Sequence, residues 1–190
     1  DAHARLQDPD AVLLERAFAN ARVAVRAGVL AIRDLGAVRT ANVRVRDAFR
    51  PRADMPYIVA AGTWIGRRGR YVPFAVQVDS ADELHAAAMA QLDAGADLVK
   101  IASDGATGSA AHFTVSELKR TVDAVHARGK KVAAHSQGLG ARVAAEAGVD
   151  TVEHGFVIDA ATATAMRGRV TLVTSLSVAL AFGELDIVLP

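Results

Sequence analysis

Two histidines stand at matching places in successive stretches of the chain. His135 ends the run "KKVAAH" (130–135) and His154 ends "GVDTVEH" (148–154), each at the same spacing after a helix-ending glycine, Gly129 or Gly148. Neutral imidazole is a frequent zinc ligand. On neighbouring parallel strands, about 4.8 Å apart, two such side chains in register can reach one ion. A lone strand-end histidine is more often bonded to a backbone carbonyl, but two on strands inferred independently favour a shared site. Lys100 sharpens this, because it interrupts the apolar run "ADLVKIAS" (96–103). A lysine inside a fold is costly unless its charge is paired or removed. Carboxylation of the amine would make it an anionic bridge between two metals. A depressed pKa would instead make it an imine-forming nucleophile. Lys100 lies one residue closer to its glycine, Gly95, than the histidines do to theirs, so an outward, snorkelling lysine is the competing arrangement. His3, in "DAHAR" (1–5), is a fourth candidate ligand. His85 and His126 fall in predicted helices and His112 in a loop, and all three read as exposed and structural. Asp34 and Thr174 occupy strand ends, where pocket-lining and turn or capping roles are equally open.

The elements that must position these residues follow one theme. A helical stretch ends in glycine, a short β-rich run follows, and a polar residue closes it. The pattern predicts strands near 29–34, 57–61, 97–101, 131–135, 150–153 and 170–174, with the tail of another at Asp1–His3. Ser80 with Glu83, and Thr114 with Glu117, have capping-box spacing. Val115, Leu118, Val122 and Val125 then mark one helix face. Alternating strands and helices with short connections mean a parallel sheet, either an open doubly wound one or a closed (β/α)8 barrel. No Gly-rich phosphate loop follows the first strand. Polar residues at the ends of several strands favour an α/β fold of the (β/α)8, TIM-barrel type.

Composition narrows the function classes. The chain has 190 residues, 52% of them hydrophobic, enough for one sizeable core or part of a larger one. With 22 basic and 21 acidic residues and a net charge of +1, neither nucleic acid nor an anionic membrane is expected as a partner. Without cysteine there are no disulfides and no thiolate metal sites. No apolar stretch approaches the roughly 20 residues of a membrane span. No signal peptide is visible, and the cytoplasm is the favoured compartment. "DAHARL" (1–6) reads like the middle of something longer.

These residues resemble the amidohydrolase superfamily, metal-dependent hydrolases on a (β/α)8 barrel. The resemblance points to the branch of imidazolonepropionase-like proteins and Xaa-Pro or Xaa-Arg dipeptidases. "DAHA" (1–4) resembles the strand-one motif Asp-x-His-x-His, and "GVLAIRDLG" (28–36) the second-strand segment. "GADLVKIASDGA" (95–106) is similar to the strand-four segment with the carboxylated bridging lysine. "KKVAAHSQG" (130–138) and "GVDTVEHG" (148–155) resemble the strand-five and strand-six histidine motifs, and "VTLVTSLSV" (170–178) the seventh. The resemblance implies metal ligation by His3, Lys100, His135 and His154. It implies one or two divalent ions, zinc first, and metal-activated water attacking a small amide or dipeptide-like substrate. Two departures stand out. Arg5 occupies the position of the second strand-one histidine and cannot ligate a metal. The strand-eight aspartate and the flanking β-sandwich have no counterpart. Residues 1–190 therefore read as a single partial barrel domain, about strands two to seven plus the end of strand one, with impaired activity. An incomplete barrel exposes sheet edges, so aggregation or a homo-oligomer is expected.

Two other functions remain open at this stage. "AGADLVKIASDGATG" (94–108) also resembles the lysine strand of deoxyribose-phosphate-type aldolases, which explains Lys100 but not His135 and His154. A non-catalytic remnant acting as a binding or scaffold module is the other. The segment "GTWIGRRGRYVPF" (62–74) reads as the loop after the third strand. Its arginines, Arg67, Arg68 and Arg70, favour a carboxylate-bearing substrate, unless it is simply a solvated flap.

Overall fold

The structure, a computed structural model, describes residues 7–70, 74–105 and 110–175. Helix α1 (Asp10–Arg26) carries Asp10 in its first turn and Arg26 in its last, each charge matched to the helix dipole. Strand β1 (Ala31–Asp34) leads through a 3-10 turn (Val38–Thr40) to α2 (Ala41–Phe49). Next come β2 (Tyr57–Ala60), β3 (Ile65–Arg67), β4 (Val76–Val78) and α3 (Ala81–Asp93). The remainder alternates strictly: β5 (Leu98–Ala102), α4 (Val115–Ala127), β6 (Lys131–Ser136), α5 (Gly138–Ala147), β7 (Thr151–His154), α6 (Ala160–Met166) and β8 (Thr171–Val173).

All pairings of these strands are parallel. β1 pairs with β2, and a second sheet runs β4-β3-β5-β6-β7-β8. Asp97 joins the two at the foot of β5. Its N–H donates to the Ala60 carbonyl at 2.8 Å, and its carboxylate accepts the Ala60 N–H at 2.9 Å. From β5 to β8, neighbours in sequence are neighbours in space around an arc of barrel strands, with the helices outside; only β3 and β4 break that order, β3 lying between β4 and β5. The fold is α/β, an incomplete (β/α)8 barrel, and the described residues do not close the ring.

All six predicted strands are present, but a further short strand follows the one predicted at 57–61. Where the sequence predicts a loop from Gly62, the structure places β3, which pairs with β5 through Ile65 opposite Ile101. Gly62 makes the break with a φ of +73°. The Gln91 side chain fills the space that a Cβ at Gly62 would need and accepts the Thr63 N–H at 2.8 Å. A three-residue strand containing glycine carries too little pattern to be recognised.

The helix signals hold with one variation. Thr114 and Glu117 form a complete reciprocal capping box at α4. Ser80 accepts the Glu83 N–H at 3.2 Å, but Glu83 reaches back to the Asp79 N–H instead of that of Ser80. Leu118, Val122 and Val125 are buried against the sheet, with Val115 packed at the edge. The main core lies between strands and helices, where Val99, Ile101, Val132, Ala134 and Val152 meet Leu84, Leu118, Val122 and Ala144. A smaller cluster of Ala61, Leu98 and Ala133 fills the inside of the arc.

Candidate active site

Strand alternation decides which side chains face inward. In register, Lys100 lies opposite Ala133, and Ala133 opposite Thr151. Ala102, His135 and Glu153 form the next row. Lys100, His135, Thr151 and Glu153 therefore share the concave face. Lys100 is only 1% exposed, so the snorkelling arrangement is ruled out. Its Nζ lies 5.1 Å from the centre of the Trp64 ring. Burial lowers its pKa to about 7; Arg33 adds to the effect, and Glu153 and Asp104 oppose it.

His135 and His154 come together, though not by the expected register. His135 pairs with Glu153, and His154 pairs with Ser136, one residue out of step. Simple alternation would send the two rings to opposite faces. A left-handed backbone at His154, with φ +73°, turns its ring back toward its neighbour. The ring centres are 4.8 Å apart, edge to face at 66°. Burial, with nearby positive charge led by Lys100, pushes the pKa of His135 down to about 3. Burial and Lys100 lower that of His154 too. Neutral rings retain the lone pairs that a cation needs.

The rest of the inner face is polar and heavily bonded. Arg33 on β1 spans to β7 and donates to both oxygens of Glu153 at 2.9 Å. It also donates to the Thr151 hydroxyl at 3.1 Å, which donates to Glu153 at 2.6 Å. Asp104, fully buried, accepts the Gln137 N–H at the start of α5, and its other oxygen has no hydrogen-bond partner among the described residues. Burial raises its pKa to about 7, against that backbone bond and Lys100. The hydroxyls of Ser103 and Ser136 bond each other beside it.

Asp34 takes a turn role, accepting from the Gly36 N–H at 3.0 Å and from Asn42 at 2.9 Å. His126 is exposed, as expected, and bonded to Asp150 at 2.9 Å. His112 and His85 differ from expectation, since both are half-buried. His112 bonds the Ala102 backbone and adds to the field at His135. Of the three arginines named for a carboxylate, two bond within the protein, and Arg70 lies near enough to His112 to help lower its pKa. Arg67 bonds Glu117 and the His112 carbonyl, and Arg68 bonds Asp79. Trp64 is the residue that the sequence pattern misses. It stands beside Phe74 and His135, at ring distances of 5.8 and 5.6 Å. The available signal was its place two residues after the strand-ending Gly62. His3, Arg5 and Tyr71 lie outside the described residues. Among the described residues, no three His, Asp or Glu side chains are grouped to hold an ion. Nor is any described helix long and apolar enough to cross a membrane.

Comparison with known proteins agrees with this geometry. The model of the Amidohydrolase family matches residues 1–188. An uncharacterized protein of Mycobacterium tuberculosis (strain ATCC 25618 / H37Rv) is 32% identical over 152 residues, 76% of this chain and 39% of that protein. A crystal structure of a Xaa-Pro dipeptidase with methionine bound in its active site superposes with a TM-score of 0.76 at 26% identity, covering 90% of this chain and 48% of the other. A candidate prolidase from Bifidobacterium longum gives 0.72 at 31% identity, covering 83% and 42%. The chain spans less than half the length of each of these relatives. A match over nearly the whole sequence, on a barrel arc with the strand-end histidines drawn together, places the chain in the amidohydrolase family.

Proposed function

We propose that this chain carries the central part of a metal-dependent hydrolase that cleaves C–N bonds of small amides or dipeptide-like substrates. The observation that carries the reading is the convergence of two neutral histidines above a buried lysine at the C-terminal ends of three adjacent strands. Such strand ends are where barrel enzymes place their chemistry.

The donor set fits a divalent ion, zinc first. His135 and His154 would supply imidazole nitrogens, kept unprotonated by burial. Lys100, with its pKa near 7, has a substantial neutral fraction, the form that carboxylation requires. His3 would complete the set. Arg5, permanently cationic, would disfavour a second ion, and one ion held chiefly by the later strands is the expected loading. A bound ion would supply a Lewis acid and lower the pKa of nearby water. The protein's own contribution is positioning. The β6 and β7 ends fix the rings, Arg33 and Glu153 brace the floor, and the Trp64 indole covers the lysine. The Xaa-Pro dipeptidase and candidate prolidase relatives support an amide bond as the target.

A lysine with a depressed pKa also suits imine chemistry. Family membership and the paired histidines favour hydrolysis. One experiment separates the readings. Chelated protein is reloaded with zinc, bound metal is counted by mass spectrometry, and hydrolysis of N-acyl amino acids and dipeptides is followed. Wild type should retain about one ion that an H135A/H154A double variant loses. Equal metal content in both would refute the site, and borohydride trapping of Lys100 with an aldehyde would favour the imine.

A further inference from the structure

The mouth of the site carries a continuous aromatic wall. Phe74 stands 5.8 Å from Trp64, Trp64 5.6 Å from His135, His135 4.8 Å from His154, and His154 5.8 Å from Phe156, centre to centre. Trp64 is its largest member, and it is held in place. Gly36 lies so close that a Cβ there would come within 1.8 Å of the indole. The Gly36 loop is itself fixed by Asp34, which accepts the Gly36 N–H and the Asn42 amide. Lys100 sits against the same ring. The indole is therefore wedged between a backbone loop and a buried amine, and it is half-buried, beside His135 in the wall.

We propose that Trp64 is a specificity-determining residue, a rigid shelf that selects substrates carrying a flat apolar group beside the scissile amide. This rests on the amide-hydrolase reading and deepens it. The surrounding charges support an uncharged group. Glu153 is engaged by Arg33, and Asp104 is fully buried, so neither carboxylate is presented to a cationic side chain. Arg67 and Arg68 are turned to Glu117 and Asp79, while Arg70 acts on His112, so the acidic compound in the test below reads whether an anionic group is drawn in. A rigid aromatic face gives apolar or planar groups offset stacking and dispersion without ordering cost at binding.

The same indole supplies the readout, because it is the chain's single tryptophan. The zinc-loaded full chain is titrated with N-acetyl-phenylalanine, N-acetyl-lysine and N-acetyl-aspartate, following tryptophan emission and, in parallel, binding heat. The phenylalanine compound should shift the emission saturably and bind about tenfold more tightly than the other two, the size of one good aromatic contact. W64A should lose that preference by calorimetry, and W64F should keep most of it. Gly36→Ala changes no side chain that faces the ligand but displaces the indole, so it should shift the emission of the free protein and erase the same preference. Circular dichroism confirms that each variant is folded. Equal affinity for the three compounds, no measurable binding, or an unchanged preference in W64A and G36A would overturn the proposal. Side-chain preference without zinc retention that depends on His135 and His154 would fail the amide-hydrolase reading alone; such zinc retention without side-chain preference would fail the shelf alone.

Discussion

The Arg33–Glu153 pair offers a direct test of how this sheet is held in its arc. It joins β1 to β7 across the concave face, 120 residues apart in sequence. Both guanidinium-to-carboxylate bonds are 2.9 Å, and the Thr151 hydroxyl bonds both partners. The side chain of Glu153 is 5% exposed and that of Arg33 is 32%. An exposed pair contributes about 0–1 kcal/mol, whereas removing one partner of a fully buried pair costs about 3–5 kcal/mol. One partner here is buried and the other is a third open to solvent, which gives a cost of about 2 kcal/mol for Glu153→Gln. Arg33→Met should cost as much or slightly more, because it strands the buried carboxylate. The double variant should recover part of the loss, with a coupling energy of about 1.5 kcal/mol.

Urea unfolding of the four proteins at pH 7 measures this directly, with the slope checked for constancy. Additive losses, with coupling below about 0.5 kcal/mol, would show that the pair holds nothing together. The reasoning also predicts a chemical signature. The Glu153 charge works against the depression of the Lys100 pKa, so E153Q should make Lys100 more reactive toward amine reagents near pH 7.

Two further outcomes follow from burial and close approach. Lys100→Met should stabilise the protein by about 1–4 kcal/mol below pH 7, with the gain shrinking as pH rises toward 10.5. The sign follows from a lowered folded-state pKa: the penalty is full below about 7 and vanishes above the ordinary value of 10.5, so a gain that grows with pH would be wrong. Gly140→Ala should lower the melting temperature despite alanine's helix preference of roughly 1 kcal/mol, because its Cβ would come within 2.1 Å of the buried Asp104 carboxylate.

The barrel arc was legible because its grammar is local. Helix, glycine, apolar run and polar stop are written within a dozen residues of each other, and each of the six predicted strands falls within about two residues of its place, whereas β3 and β4 were not foreseen. The repeat contained one further signal. Gly95-Ala96-Asp97 and Gly148-Val149-Asp150 place an aspartate at the same position in two units. Each carboxylate accepts an N–H of an earlier strand, that of Ala60 on β2 at 2.9 Å or Val132 on β6 at 2.8 Å. A basic partner, Arg46 at 2.7 Å or His126 at 2.9 Å, holds each one. These contacts keep both carboxyl groups below their ordinary range, although burial pulls the other way. Glycine-x-aspartate after a helix is thus a strand-to-strand clamp readable in sequence. The Trp64 shelf was not readable, since it depends on Gly36, nearly thirty residues away, leaving room for an indole.

The histidine pair shows where local grammar stops. Equal spacing after two glycines suggested that the rings stand in register, and the ladder shows them one residue apart. What brings them together is a non-glycine residue in the left-handed region, a conformation costing about 1–3 kcal/mol unless its surroundings enforce it. Here the enforcing contacts are visible: the Gly155 N–H bonds the Ser136 carbonyl at 3.0 Å, and Phe156 packs against the His154 ring. Folding for stability alone would relax that turn and replace Lys100 with an apolar residue. A strained histidine, a buried amine and a buried carboxyl group with one oxygen unpartnered among the described residues, gathered at the ends of adjacent strands, all cost stability at one place. Their common location is the physical reason to read that mouth as a site of chemistry.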